Sequence, residues 1–144
     1  MPICCARRST GRAVNNDRDV DPDVRTEPAV GPIGGLVIDA RDPGALARFW
    51  QGIIGGHLDD TDPDWVALTG VGAFGYLGFQ RVDEPKATKN RVHVDLDVAD
   101  LVGATASAVA LGATAVGEVM QEPTNSFQVM CDPEANEFCL VVTN

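Results

Sequence analysis

From Gly34 onward, short apolar runs and one helical stripe follow each other twice along the chain. "GLVIDA" reads as a strand, and Asp42 followed by Pro43 reads as the N-cap and first residue of a helix. Leu46, Phe49, Trp50, Ile53 and Ile54 then recur at helical spacing, which predicts one buried stripe closed by Gly55 and Gly56. His57 is expected just past that helix, exposed in a loop. "DWVALTG" and "GYLGFQRV" read as two further strands, with a glycine-rich connection between them. The polar stretch "DEPKATKN", from Asp83 to Asn90, reads as a linker.

The same order then returns. "RVHVDLDV" alternates strictly, so Val92, Val94, Leu96 and Val98 are expected on a face packed against the helices. Arg91, His93, Asp95 and Asp97 share the opposite face. Asp100 caps a second predicted helix, "LVGATASAVAL", which ends at Gly112 and is followed by "TAVGEV", "SFQVM" and "EFCLVV". A shift that carries Asp42 onto Asp100 also carries Asp39 onto Asp97 and Gly35 onto His93. Such self-similarity means two copies of one unit that bury their faces together. Helices do not alternate one for one with strands, so the class is α+β and not doubly wound. Each unit curls a mostly antiparallel sheet with its helix on one face, and two units side by side enclose a cleft.

Composition narrows the function. A chain of 144 residues suits one domain with a proper core. Its net charge of -10 argues against the basic stripe that nucleic acid demands, and gives no attraction to anionic membranes. No run reaches the roughly 18 apolar residues of a membrane span. The opening "MPICCARRSTGRAVNN" has no apolar core of a secretory signal. Residues 1–31 carry neither period and are expected to be a disordered tail, with one domain over 32–144. Within it, module 1 is expected at about 33–82, the linker at 83–90 and module 2 at about 91–143. Cys4, Cys5, Cys131 and Cys139 form no CxxC pair, which fits reduced thiols and a cytoplasmic location. "GVGAFGYLG" is no phosphate loop, since no Lys-Ser or Lys-Thr follows it.

Three stretches carry a family resemblance: "VIDARDPGALARFWQGIIGG", "LGFQRVDEPKATKNRVHVDLDVADL" and the closing "CDPEANEFCLVV". Together they resemble the vicinal oxygen chelate superfamily of glyoxalase I, bleomycin-resistance proteins and extradiol dioxygenases. The nearest likeness is to an actinobacterial glyoxalase-like subgroup. The resemblance implies two βαβββ modules around a cleft, and homodimer formation is a further implication. Metal-bearing relatives place ligands at four positions, which correspond here to Gly35, Gly78, His93 and Cys139. Two glycines leave that set short, so no metal and no cofactor is expected. A displaced ion on His93, Gln80 and Glu137 is the alternative, because Gln80 shares parity with Gly78 and Glu137 with Cys139. Where relatives carry glycine in the closing turn this chain has Ala135, so Asn136 is expected to take the left-handed position.

The expected function is metal-independent binding of a small molecule in the inter-module cleft, with Trp65, Gln80, Arg91, His93 and Cys139 as its lining. Trp65 shares a side with Ala67 and Thr69 and would supply an aromatic wall. Catalytic residues are not assigned. The alternative is a lyase or isomerase acting on a small oxygenated substrate, with His93 as acid-base, since an imidazole titrates near neutrality. Asp39 and Asp97 are expected to be solvated strand ends. Cys139 is expected to be a buried thiol, and Trp50 to belong to the core.

Overall fold

The structure, a computed structural model, describes residues 30–72 and 74–143, so nearly all of the expected tail lies outside the described residues. Strand β1 (Gly35–Ala40) leads into helix α1 (Pro43–Ile54), followed by β2 (His57–Asp62), β3 (Trp65–Thr69) and β4 (Tyr76–Arg81). The order repeats as β5 (Val94–Asp97), α2 (Leu101–Leu111), β6 (Thr114–Gln121), β7 (Asn125–Cys131) and β8 (Glu137–Thr143). These are two βαβββ modules, as the pattern predicts.

Both helices start on their predicted caps. The Asp42 carboxylate accepts from the Ala45 amide at 2.9 Å. Asp100 accepts from the amides of Val102 and Gly103. Each cap satisfies donors that the first helical turn leaves without partners. At the far ends, Gly55 and Gly112 adopt φ of 75° and 113°, where a side chain would be strained.

Each module forms a four-stranded sheet, in the orders β1-β4-β3-β2 and β5-β8-β7-β6. The first and last strands of each module pair in parallel, and all other pairings are antiparallel. Strands β1 and β5 are therefore each the terminal strand of a sheet. One apolar cluster serves both sheets, with Leu46, Phe49 and Trp50 of α1, Phe79 of β4, and Phe138 and Leu140 of β8. Trp50 lies at its centre, its ring centroid 5.1 Å from that of Phe138 and 5.8 Å from that of Phe49. No helix among the described residues is long and apolar enough to cross a membrane.

Three details differ from the sequence reading. His57 is exposed as expected, but it opens strand β2 and does not lie in a loop. "HLDDTD" is too polar to announce a strand; pairing with β3, Leu58 opposite Leu68, holds it in the sheet. Val92 is 66% exposed and does not share the packed face. The ladder between β5 and β8 begins at Val94 opposite Phe138, so nothing holds Val92 against the helices. Finally, Ala135 and not Asn136 takes the left-handed position, with φ of 66°. Asn136 is committed elsewhere, since its amide and its side chain both donate to the Asp132 carboxylate. The strain at alanine costs about 1 kcal/mol.

Candidate functional site at the seam between the modules

A cavity of about 470 Å³ is lined by both modules. Val37 and Asp39 come from β1, Trp50 from α1, and Arg91, His93 and Glu137 from module 2. Asp97, the repeat partner of Asp39, instead lines a separate hollow that both helices border. Both aspartates are exposed, in keeping with solvated strand ends.

The closing turn fixes how module 2 meets α1. Glu134 accepts from the backbone amides of Arg41 and Asp42, both at 2.8 Å. Asp132 accepts from the Trp50 indole N–H at 3.2 Å and from the amides of Glu134 and Asn136. Burial pushes the Asp132 carboxyl above the usual aspartate range, outweighing the hydrogen bonds that favour its charged form. Glu137, just beyond the turn, accepts from the Asn90 amide at 3.2 Å and lies 3.8 Å from the Lys89 ammonium. Asn90 returns the contact by accepting from the Glu137 amide. The linker is thereby pinned to β8 immediately before Arg91 and His93.

His93 and Asp95 lie on one face of their segment, and β-pairing sets Asp95 opposite Cys139. The His93 Nε2 is 3.3 Å from an Asp95 carboxylate oxygen. One donor atom from each of His93, Asp95 and Cys139 falls within 4.8 Å of the others. Cys139 is fully buried, whereas the His93 and Asp95 side chains are each 29% exposed.

Module 1 presents a different surface. A Cβ added to Gly35 would stand 2.6 Å from Cζ of Tyr76, and one added to Gly78 would stand 2.8 Å from Cη2 of Trp65. The two rings pack edge to face, 6.1 Å apart, over the glycines. The positions from which module 1 would reach a shared ion are therefore glycines roofed by aromatic carbon. The residues present do not fit an ion held in four-position fashion by both modules.

Of the sequence-derived candidates, Arg91 and His93 meet on the seam cavity. Trp65 and Gln80 sit opposite each other on β3 and β4 and lie outside its lining. Cys139 joins through its approach to His93. Sequence reasoning missed Asp95 as the third member of that group, and the roles of Tyr76, Asp132 and Glu134. Shared parity with His93 was the available signal for Asp95, but only the β5–β8 register puts Cys139 opposite it.

The model of the glyoxalase-like domain family matches residues 35–141. The chain belongs to the glyoxalase-like domain family. None of the curated proteins matches it. Solved structures share the fold at low identity. A glyoxalase/bleomycin resistance protein/dioxygenase family enzyme from Burkholderia phytofirmans PsJN superposes with a TM-score of 0.64 at 20% identity, covering 77% of this chain and 98% of that one. A glyoxalase/bleomycin resistance protein/dioxygenase from Nocardioides gives 0.64 at 15% identity, with coverage of 82% and 87%. TioX from Micromonospora sp. ML1 gives 0.55 at 15% identity, with coverage of 79% and 100%. This glyoxalase-like domain is thus built on the paired-module plan of the vicinal oxygen chelate superfamily.

Proposed function

We propose that this glyoxalase-like protein binds a small, partly apolar organic molecule in the seam cavity, through an oxygen-bearing end and without the superfamily's usual metal. The observation that carries the reading is the mixed lining of a cavity of ligand size, with Val37, Ile38 and Trp50 beside Arg91 and His93. Arg91 has no ion-pair partner among the described residues, and a guanidinium of that kind suits a carboxylate or carbonyl oxygen. Glu137 and Asn90 hold the segment that carries both polar groups, so the site is preorganised. Trp65 and Gln80 would then act only on a larger ligand that extends across module 1.

A second reading is favoured by one contact. Asp95 lies against the His93 imidazole at 3.3 Å, an arrangement that fixes the ring and supports acid-base work in a lyase or isomerase. The two readings separate experimentally. Chelator-treated protein is screened by ligand-detected NMR against small aromatic carboxylates and neutral phenols. Binding that shifts the Trp50 indole signal and weakens in Arg91→Ala supports the seam site. Hits indifferent to both Arg91→Ala and His93→Ala would sink it. Turnover of a bound compound that is lost in His93→Ala selects the enzyme.

A further inference from the structure

On the reading that the seam binds a small molecule, we infer that its ligand is zwitterionic, an aminocarboxylate whose carboxylate meets Arg91 and whose ammonium meets Asp39. Four ionisable side chains line the cavity: Asp39, Arg91, His93 and Glu137. Two of them are already matched. Glu137 accepts from the Asn90 amide and lies 3.8 Å from the Lys89 ammonium. His93 lies 3.3 Å from an Asp95 carboxylate oxygen. Arg91 and Asp39 carry opposite charges, yet they form no ion pair with each other or with any other described residue.

The two unmatched charges come from different modules, Asp39 at the end of β1 and Arg91 just after the linker. Both side chains are exposed, so water solvates each in the free protein. Leu36, Val37, Ile38 and Val94 supply apolar wall beside them. A ligand body against that wall displaces water, and each charge then counts for more. A plain carboxylate answers Arg91 but leaves Asp39 facing an apolar body or a second negative group. An aminocarboxylate answers both, and dicarboxylates and diamines are each opposed by one of the two.

The neighbourhood of Asp39 reinforces its preference for a cation. Asp39 and Asn136 also line an adjoining hollow of about 450 Å³, together with Glu84, Lys86 and Glu134. Three carboxylates there stand against one ammonium. Both oxygens of Glu134 are committed to the amides of Arg41 and Asp42, and the Lys86 ammonium donates to the Thr88 carbonyl at 2.6 Å. Asp39 and Glu84 remain to receive an ammonium. The repeat offers a natural control. Asp97, the partner of Asp39, lines the hollow between the helices, where no Arg, Lys or His is among the described lining. Opposite charges therefore face one cavity at Asp39 and not at Asp97.

Ligand-detected NMR on the full chain compares two zwitterions with their amine-free counterparts: para-(aminomethyl)benzoate with para-methylbenzoate, and phenylalanine with phenylpropanoate. At least one zwitterion is expected to bind about five-fold more tightly than its counterpart. The gain should disappear in Asp39→Asn, persist in Asp97→Asn and shrink in about 1 M salt, where screening sets in within ~3 Å. Arg91→Ala should weaken both members of the pair. No gain in either pair overturns the zwitterion, as does a gain that survives Asp39→Asn or high salt. Should circular dichroism show Asp39→Asn misfolded, the salt dependence of the gain in the parent decides. Arg91-dependent binding of the amine-free acids without a gain removes the zwitterion and leaves the seam site standing. Failure of all four compounds to bind removes both.

Discussion

Trp50 on α1 donates its indole N–H to Asp132 in the turn between β7 and β8, joining the two modules inside the core. The acceptor is 4% exposed, and burial raises its pKa. A raised folded-state value means the native protein binds this proton more readily than the unfolded chain does. This residue's contribution therefore favours folding below the ordinary aspartate value and declines as pH rises through the raised one. Melting temperatures followed from pH 3 upward should show this declining component in the parent and lose it in Asp132→Asn. Parallel profiles for the two proteins would refute the assignment.

Removing the donor alone is the cleaner perturbation. Trp50→Phe keeps most of the ring against Phe49 and Phe138 but withdraws one hydrogen bond from a buried carboxylate. A loss of about 1–3 kcal/mol in urea unfolding is expected. Asp132→Ala should cost more, because the amides of Glu134 and Asn136 lose their acceptor as well.

Glu134 supplies a second tie between the modules. Its carboxylate serves the amides of Arg41 and Asp42 just ahead of α1, where negative charge is also favoured by the helix dipole. Glu134→Ala should destabilise by roughly 1 kcal/mol, the usual scale for a lost cap. Hydrogen exchange should show the gain in opening at Arg41 and Asp42. Unchanged exchange there would show that the tie carries no weight.

Restoring a ligand to module 1 should fail. Gly35→His drives a side chain into the Tyr76 ring, and overpacking of this kind costs about 1–3 kcal/mol. Pairing it with Tyr76→Ser should recover much of the stability. Equal stability of the single and double variants would mean that the ring is not the obstacle.

Ala135→Gly should stabilise the protein by about 0.5 kcal/mol, since glycine adopts the observed φ of 66° freely but gains entropy in the unfolded chain. Thermal or urea denaturation reads this directly, and a destabilised variant would contradict it.

The fold was legible because its signals are local. Asp42 and Asp100 announce their helices, the Leu46–Ile54 stripe has a helical period, and "RVHVDLDV" alternates. What stayed hidden depends on partners distant in sequence. Ala135 looked replaceable by Asn136 in the left-handed role only while the hold of Asp132 on Asn136 was out of view. Gly35 and Gly78 read as missing ligands, yet nothing local says that Tyr76 and Trp65 fill the space above them. Asp95 shared the face of His93 from the outset, and its relation to Cys139 needed the strand register. The polar β2 is a strand by virtue of β3, not of its own composition.

The closing turn also sets a timetable. Arg41, Asp42 and Trp50 all await acceptors in a segment that begins at Asp132, near the end of the chain. Synthesis runs from the N-terminus at about 5–20 residues per second, so module 1 leaves the ribosome seconds before its bonding partners exist. During that interval Trp50 faces no Asp132 and no Phe138. These ties of the first module can close only when the second is nearly finished, so the two halves of the repeat are separate in sequence but joined in time.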